Sequence, residues 1–378
     1  MSRPRYYTYA EIDIPNLIFN LNNIRKKVSP AKVMAVVKAD AYGHGAVEIS
    51  KALVKEGVDF LAVARVEEAL ELLEAGIRAK ILIFGSLFQD EMEEAFRAGV
   101  RISVTGVVDL EKVKKSILST GKAAIVHVNV DTGMGRVGIP YAEAIDFIRK
   151  LASLENVRVE GVYSHFSTSD ERDKSYSYLQ LERFKKIFEG LRGEKIKIPF
   201  IHMSNSGAIL DIPESYFNMV RPGVSLYGYR PSSKTSESIP LRQVMRFITH
   251  VSAVRRVPEG SFISYGRKYR TERETSIVVL PVGYADGYTR AFTNKGYVVI
   301  KGKEYPVVGT VTMDQIMVDI GDDDIREGDE VLLWGDDRNS GKSISLTELA
   351  ELIGTIPYEL CCAVSKRVPR IYRYQGDR

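Results

Sequence analysis

Residues 33–45 read VMAVVKADAYGHG. The apolar, β-branched run Val33–Val37 reads as a fully buried strand. Lys38 stands where that strand ends, and Ala39 to His44 read as a loop. A lysine at the mouth of an apolar strand has two readings. Its stem can cover apolar surface while the ammonium reaches water. Alternatively, partial burial lowers the pKa of the amine and readies it to form a Schiff base. The stretch alone leaves both open.

Seven further strand-like segments surround it: FLAVA from Phe60, ILIF from Ile81, ISVT from Ile102, AIVHVNV from Ala124, VEGVYSHF from Val159, FIHMS from Phe200 and NMVRPG from Asn218. Amphipathic stretches such as VEEALELLEAG (66–76) and LQLERFKKIFEGL (179–191) lie between them, with apolar positions at helical spacing and glycine near the end. Eight strands alternating with helices predict a (β/α)8 TIM barrel over residues 10–230. A doubly wound open sheet would show the same alternation. Beyond a Ser/Pro-rich link, RPSSKTSESIP, strand follows strand with turn chemistry between (KGKE, GDDD, GDDRNSG). Residues 231–378 therefore read as a mostly β C-terminal domain, joined by residues 1–9, with one helix near Leu346–Gly354.

Composition bounds the function. The chain has 378 residues, 44% of them hydrophobic, and a formal net charge of +4, so charge does not suggest nucleic acid. No run of eighteen apolar residues suggests a membrane span, and MSRPRYYTYAEIDI lacks the apolar segment of a signal peptide. The two cysteines, Cys361 and Cys362, fit neither a disulfide framework nor a zinc site. They read as small buried hydrophobes in a reducing, cytoplasmic compartment. No pair of histidines has metal-ligand spacing, so no metal is expected.

In an eight-stranded barrel the active site lies at the C-terminal ends of the strands. Those ends offer Lys38, Arg136, His165, Asn205 with Ser206, and Arg221, a polar set that a barrel does not need for stability. The G-x-G-x-x-G at Gly133, Gly135 and Gly138 follows a later strand rather than the first and has Arg136 inside it. It reads more readily as glycines permitting tight turns than as a dinucleotide site. HMSNSG (202–207) reads as a strand running into a helix cap, whose N–H groups also suit a phosphate. RPGVSLYG from Arg221 places Gly223 in the last barrel loop, where phosphates commonly sit. Among twenty tyrosines, physical reasoning singles out none.

Taken together, AVVKADAYGHG, VDTGMGR, YSHF, HMSNSG, RPGVSLYG, SYG, VGYADG, MDQ and the final IPYE…RVPR resemble, in order and over essentially the whole length, the bacterial alanine racemases. The resemblance implies an isomerase that uses pyridoxal 5′-phosphate to interconvert L- and D-alanine, supplying D-alanine for peptidoglycan. On it, Lys38 holds the cofactor as a Schiff base. Tyr42, Ser206, Gly223, Val224 and Tyr358 gather at its phosphate end, Asn205 joins the cofactor-binding set, and His165 lies near its ring. Arg221 faces the ring nitrogen, where a donor-only, always-charged side chain weakens the electron sink and favours reprotonation at Cα. Lys38 and Tyr265 are then the two catalytic acid/bases, one on each face of Cα, with Tyr265 coming from the partner of a head-to-tail homodimer. Arg136 and the backbone of Met313 hold the substrate carboxylate, and Tyr284 narrows the way in.

One departure stands out. Many members carry, seven residues before the loop arginine, a lysine modified to a carbamate; this chain has Asn129. A neutral amide supplies no negative charge, so the resemblance implies a bound anion such as chloride beside Arg136. It also admits a broader racemase acting on serine or lysine. A non-catalytic pyridoxal-phosphate carrier is the more distant alternative, since such carriers lack the β domain.

Overall fold

The computed structural model describes residues 6–192 and 196–374. The chain enters through β1 (Tyr9–Asp13) and then lays down β2 (Lys32–Val36), β3 (Phe60–Val63), β4 (Lys80–Ile83), β5 (Arg101–Val104) and β6 (Ala124–Asp131). After the two-residue β7 (Ile139–Pro140) come β8 (Val157–Tyr163), β9 (Phe200–His202) and β10 (Met219–Val220). From β2 to β10, leaving out the short β7, eight strands pair in parallel; β10 returns to β2 and β5 passes directly to β6, so the ring closes. Closure selects the barrel over the open sheet that alternation alone allowed. Burial on both faces explains the sequence: all four residues of β3 and three of four in β4 are buried, as a parallel sheet wrapped in helices requires.

The second domain contains β11 (Met245–His250), β12 (Ala253–Val257), β13 (Phe262–Ile263), β14 (Tyr269–Arg270), β15 (Thr275–Leu280), β16 (Tyr297–Ile300), β17 (Lys303–Pro306), β18 (Ile316–Gly321), β19 (Glu330–Asp336), β20 (Ser343–Ile344) and β21 (Arg370–Arg373). Its main sheet runs β17-β16-β19-β11-β1-β21, with β20 on β19; β12-β15-β18 form a second sheet and β13–β14 a hairpin. Trp334 and Phe247 meet edge to face, centroids 4.6 Å apart, in the core of the main sheet. No helix among the described residues is long and apolar enough to cross a membrane.

Two expectations change. The sequence division opens the barrel at residue 10, yet β1 pairs with β11 and β21 in the second domain. The crossing comes at Asp13, whose carboxylate ends the strand and caps helix Ile14–Val28 by accepting from Asn16 N at 2.9 Å. Residues 1–5 and 375–378, assigned to the second domain from sequence, lie outside the described residues. The run VMRFITHVSAVRRV (244–257) is divided between the two sheets: it leaves the main sheet after His250 and enters the second at Ala253. Beyond helix Leu346–Leu352 a further helix, Pro357–Ala363, starts on a proline, which suits a first-turn position.

Candidate active site

Lys38 does not open an ordinary loop. Ala39, Asp40, Ala41 and Tyr42 have φ of 52°, 53°, 52° and 54°, a left-handed helical turn of four residues that all carry Cβ atoms. Each such residue costs roughly 1–2 kcal/mol, so neighbours must hold it. Glu68 does so at the start: one carboxylate oxygen accepts from Ala39 N at 2.6 Å, the other from Ala64 N and Arg65 N. Asp40 Oδ1 accepts from Ala46 N at 2.7 Å, and Arg370 Nε donates to the Gly43 carbonyl at 3.0 Å. The His44 ring lies fully buried with Nδ1 within 3.0 Å of the Ala41 and Tyr42 carbonyls; burial depresses its pKa to about 4, so it stays neutral and donates. Strain of this kind gathers at functional sites.

Gly43 completes the turn at φ +78°, where a Cβ would run into the Cys361 carbonyl. Gly43→Ala is therefore expected to destabilise the protein by about 3 kcal/mol, read as a lowered unfolding midpoint. An unchanged midpoint would refute the clamp.

The turn delivers Lys38 and Tyr42 to a cavity of about 780 Å³ at the C-terminal mouth of the barrel. Arg136 reaches it from the loop after β6, His165 from that after β8, Asn205 and Ser206 from that after β9. Arg221, Gly223 and Val224 come from the segment after β10, and Tyr358 from helix Pro357–Ala363. Asn129 lies in the same wall. Three cations (Lys38, Arg136, Arg221) face this space, and Asp170 is the only carboxylate among the lining residues. The cavity therefore suits an anionic ligand.

Burial lowers the pKa of the Lys38 amine, and the charge of Arg136 lowers it further, with Glu68 opposing. More of the amine is thus neutral, and nucleophilic, at a given pH than for a free lysine. Removing Arg136 should raise that pKa. In Arg136→Met the acid limb of Lys38's rate of reaction with an aldehyde is expected to move to higher pH; an unmoved profile would disprove the coupling.

Arg221 is buried, which brings its pKa down to about 10, still a cation at neutral pH. It donates through Nη2 to the Ser164 carbonyl at 2.7 Å, to the Met203 carbonyl at 3.1 Å and to His165 Nδ1 at 3.2 Å, and through Nη1 to His202 Nδ1 at 2.9 Å. Its Nε–H has no partner among the described residues. His165 is held well below its usual pKa by burial and then by Arg221, so its ring accepts this bond as a neutral imidazole.

Two loops reveal their local logic. Asn205 caps helix Ser206–Asp211, accepting from Ala208 N at 3.0 Å, while Ser206 Oγ accepts from Gly223 N and Ser225 N, tying the last two barrel loops together. In the glycine-rich loop, Asp131 Oδ1 accepts from the amides of Gly133, Met134 and Gly135. Those donors are spent inside the turn, which removes the dinucleotide reading.

Tyr265, Tyr284 and Met313 do not join this cavity. They lie on the second domain, 75%, 42% and 51% exposed. Tyr284 N donates to the Thr312 carbonyl at 3.0 Å and Ala285 N to the Met313 carbonyl at 3.1 Å; Thr310 Oγ1 donates to the Tyr265 carbonyl at 2.7 Å. Tyr265 thus stands on a pinned turn flanked by Ser264 (φ +64°) and Gly266 (φ +73°). One cysteine expectation is corrected: Cys361 is buried, but Cys362 is exposed and lines the cavity beside Lys38, because alternate faces of a short helix point different ways. Sequence reading assigned no role to His127, Glu160 or His202. The available signal was a charged or imidazole side chain set inside an otherwise apolar strand.

Comparison with known proteins agrees with this architecture. The family profile described as alanine racemase, N-terminal domain, matches residues 12–231, and that of the C-terminal domain matches residues 244–372. The chain is 42% identical over 373 residues to the alanine racemase of Clostridium novyi (strain NT), covering 98% of this chain and 96% of that one. It is 43% identical over 368 residues to that of Halothermothrix orenii, with 97% of each covered. A solved alanine racemase from Clostridium difficile 630 superposes with a TM-score of 0.93 at 40% identity over 99% of this chain and 98% of that one. The Bartonella henselae alanine racemase with covalently bound pyridoxal phosphate does so at 0.87 and 29% identity, over 97% and 100%. The chain belongs to the alanine racemase family of pyridoxal-phosphate-dependent isomerases.

Proposed function

We propose that this protein interconverts L- and D-alanine with pyridoxal 5′-phosphate bound at Lys38, and supplies D-alanine for peptidoglycan. The observation that carries the reading is one cavity in which a lysine of lowered pKa shares the space with a buried, charged Arg221 whose Nε–H is unspent. The residues present fit the cofactor. The space is cationic, and the Tyr42 and Tyr358 hydroxyls make no hydrogen bond among the described residues. A Cβ at Gly223 would stand 2.5 Å from the Tyr42 hydroxyl, so only glycine leaves that wall open.

When bound, the cofactor supplies an electron-withdrawing ring that acidifies the Cα–H of an attached amino acid. The protein does the rest. Lys38 anchors the cofactor and, once free, moves a proton at one face of Cα. Tyr265 of the partner subunit in a head-to-tail homodimer serves the other face; its exposure and its absence from the lining of Lys38's cavity support that division. Tyr42, Asn205, Ser206, Gly223, Val224 and Tyr358 enclose the phosphate end, and His165 supports Arg221. Arg221 donates toward the ring nitrogen without giving up its proton, which restrains electron withdrawal and favours return of the proton to Cα. Arg136 takes the substrate carboxylate, with Met313 and Tyr284 of the partner closing the site.

Arg136 has no hydrogen bond or ion pair among the described residues, and Asn129 beside it is neutral. An anion such as chloride is proposed there. The small, neutral Asn129 also favours a second reading, a racemase that accepts serine or lysine, which relative kcat/KM values would separate.

The test is incubation with pyridoxal phosphate and L-alanine in heavy water. Equal amounts of both enantiomers, each deuterated at Cα, are expected. Conversion to pyruvate would refute the argument from Arg221, and unchanged alanine with turnover of serine or lysine would establish the second reading. No turnover of any of the three would turn the choice to the carrier.

A further inference from the structure

Phe60 on β3 packs against Phe200 on β9, and His127 on β6 meets His202 on β9. Neither pair lies on neighbouring strands, so these side chains meet inside the barrel. Barrel interiors are ordinarily filled by branched apolar side chains. Here one hydrogen-bonded chain crosses the interior. Arg221 Nη1 lies 2.9 Å from His202 Nδ1, and His202 Nε2 lies 2.8 Å from His127 Nδ1. His127 Nε2 lies 3.3 Å from Glu160 Oε2, and Arg101 Nε 2.9 Å from that same oxygen. Both imidazoles are fully buried, and Glu160 is 2% exposed.

The ends of this chain decide its middle. A guanidinium only donates, and an ionised carboxylate only accepts. Burial favours the neutral acid for Glu160, but its bonds from His127 and Arg101 outweigh that and bring its pKa to about 2. Arg221 must therefore donate to His202 Nδ1, which leaves the His202 proton on Nε2, facing His127 Nδ1. The His127 proton is then on Nε2, facing Glu160. Reversing either ring would put two protons into one contact.

We propose that Glu160 and His127 are positioning residues for Arg221. They hold His202 as its Nε2–H tautomer, so that Nδ1 is a standing acceptor for one arm of the guanidinium. A carboxylate in direct contact would pair with Arg221 in a two-pronged bond and consume its donors. Set two imidazoles away, the acceptor fixes the orientation and leaves Nε–H for the cavity. That last step rests on reading Arg221 as the partner of the cofactor's ring nitrogen; the tautomer assignment does not.

The test uses the full chain, with its five histidines labelled with ¹⁵N and pyridoxal phosphate supplied. Long-range proton–nitrogen spectra are expected to show His127 and His202 both neutral and protonated on Nε2 throughout the neutral range. Either ring protonated on Nδ1 overturns the proposal, whether or not the protein racemises alanine, so failure here and failure of the functional reading are separable. Glu160→Met removes the acceptor for His127 Nε2–H, and a His127 Nδ1–H population should appear only as the Arg221–His202 contact opens to let His202 change tautomer, so kcat is expected to fall roughly 10-fold with KM little changed. Glu160→Gln keeps an oxygen toward both Arg101 and His127 and should retain the parent tautomers. Parent tautomers and kcat in Glu160→Met, or their loss in Glu160→Gln, would overturn the role of Glu160. If Glu160→Met does not fold, the spectra of the parent chain still decide.

Discussion

Lys38→Ala is expected to lower kcat/KM for alanine racemisation by about 10⁴-fold or more. Two losses combine. A positioned acid/base accounts for roughly 10²- to 10⁴-fold on its own, and the covalent anchor of the cofactor goes with the same amine. The fold should tolerate the change, because Lys38 is only half-buried and its Nζ makes no hydrogen bond or ion pair among the described residues. The left-handed turn that follows it is held by Glu68, Asp40, His44 and Arg370 rather than by Lys38. Circular dichroism and the unfolding midpoint should therefore match the parent while the absorbance of the cofactor–lysine linkage disappears. A variant within tenfold of parental activity would refute Lys38 as anchor and base together.

The second large effect concerns Tyr265, and mixing of subunits reads it most sharply. Tyr265→Phe removes one hydroxyl from an exposed side chain, with expected loss of roughly 10²- to 10⁴-fold in kcat and no loss of stability. In a two-fold dimer with shared sites, Lys38→Ala and Tyr265→Phe chains complement each other. Half of the randomly mixed dimers are hybrids, and each hybrid has one intact site and one doubly damaged site. Exchange between two nearly inactive preparations should therefore restore roughly a quarter of parental activity. Were Tyr265 to serve its own chain, each site in every hybrid would carry a defect and nothing would return. The geometry favours recovery, since Tyr265 and Lys38 line different cavities of one chain.

The barrel was legible because each strand and helix announces itself within a few residues. A parallel strand buried on both faces reads as an unbroken apolar run, as in FLAV, and an amphipathic helix as a period near 3.6, as in VEEALELLE. Caps were legible for the same reason, Asn205 among them. The polar residues at strand ends could be picked out because topology sends those ends to one face. The roles proposed for Tyr265 and Tyr284 rest on family resemblance, since nothing local separates one tyrosine from nineteen others, and so does that proposed for Met313.

Other features depend on partners distant in the chain. The left-handed turn at Ala39–Tyr42 contradicts the preference of each of its residues and persists through contacts with Glu68 and Arg370. The split of VMRFITHVSAVRRV between two sheets follows from pairing with β19 on one side and β15 on the other. Cys361 and Cys362, adjacent and chemically identical, part ways because one faces the core and the other the cavity.

Periodicity, capping and strand-end chemistry are properties of neighbouring residues, so the amino-acid sequence by itself determined the eight barrel strands alternating with helices, the β-rich second domain and the candidate polar set around Lys38. Closure of the ring, the strained turn beneath Lys38 and the line from Arg221 through two histidines to Glu160 were decided only by tertiary structure. Each joins residues tens of positions apart, and which side chains meet inside a barrel depends on how the closed ring of strands is registered. No local pattern carries that information.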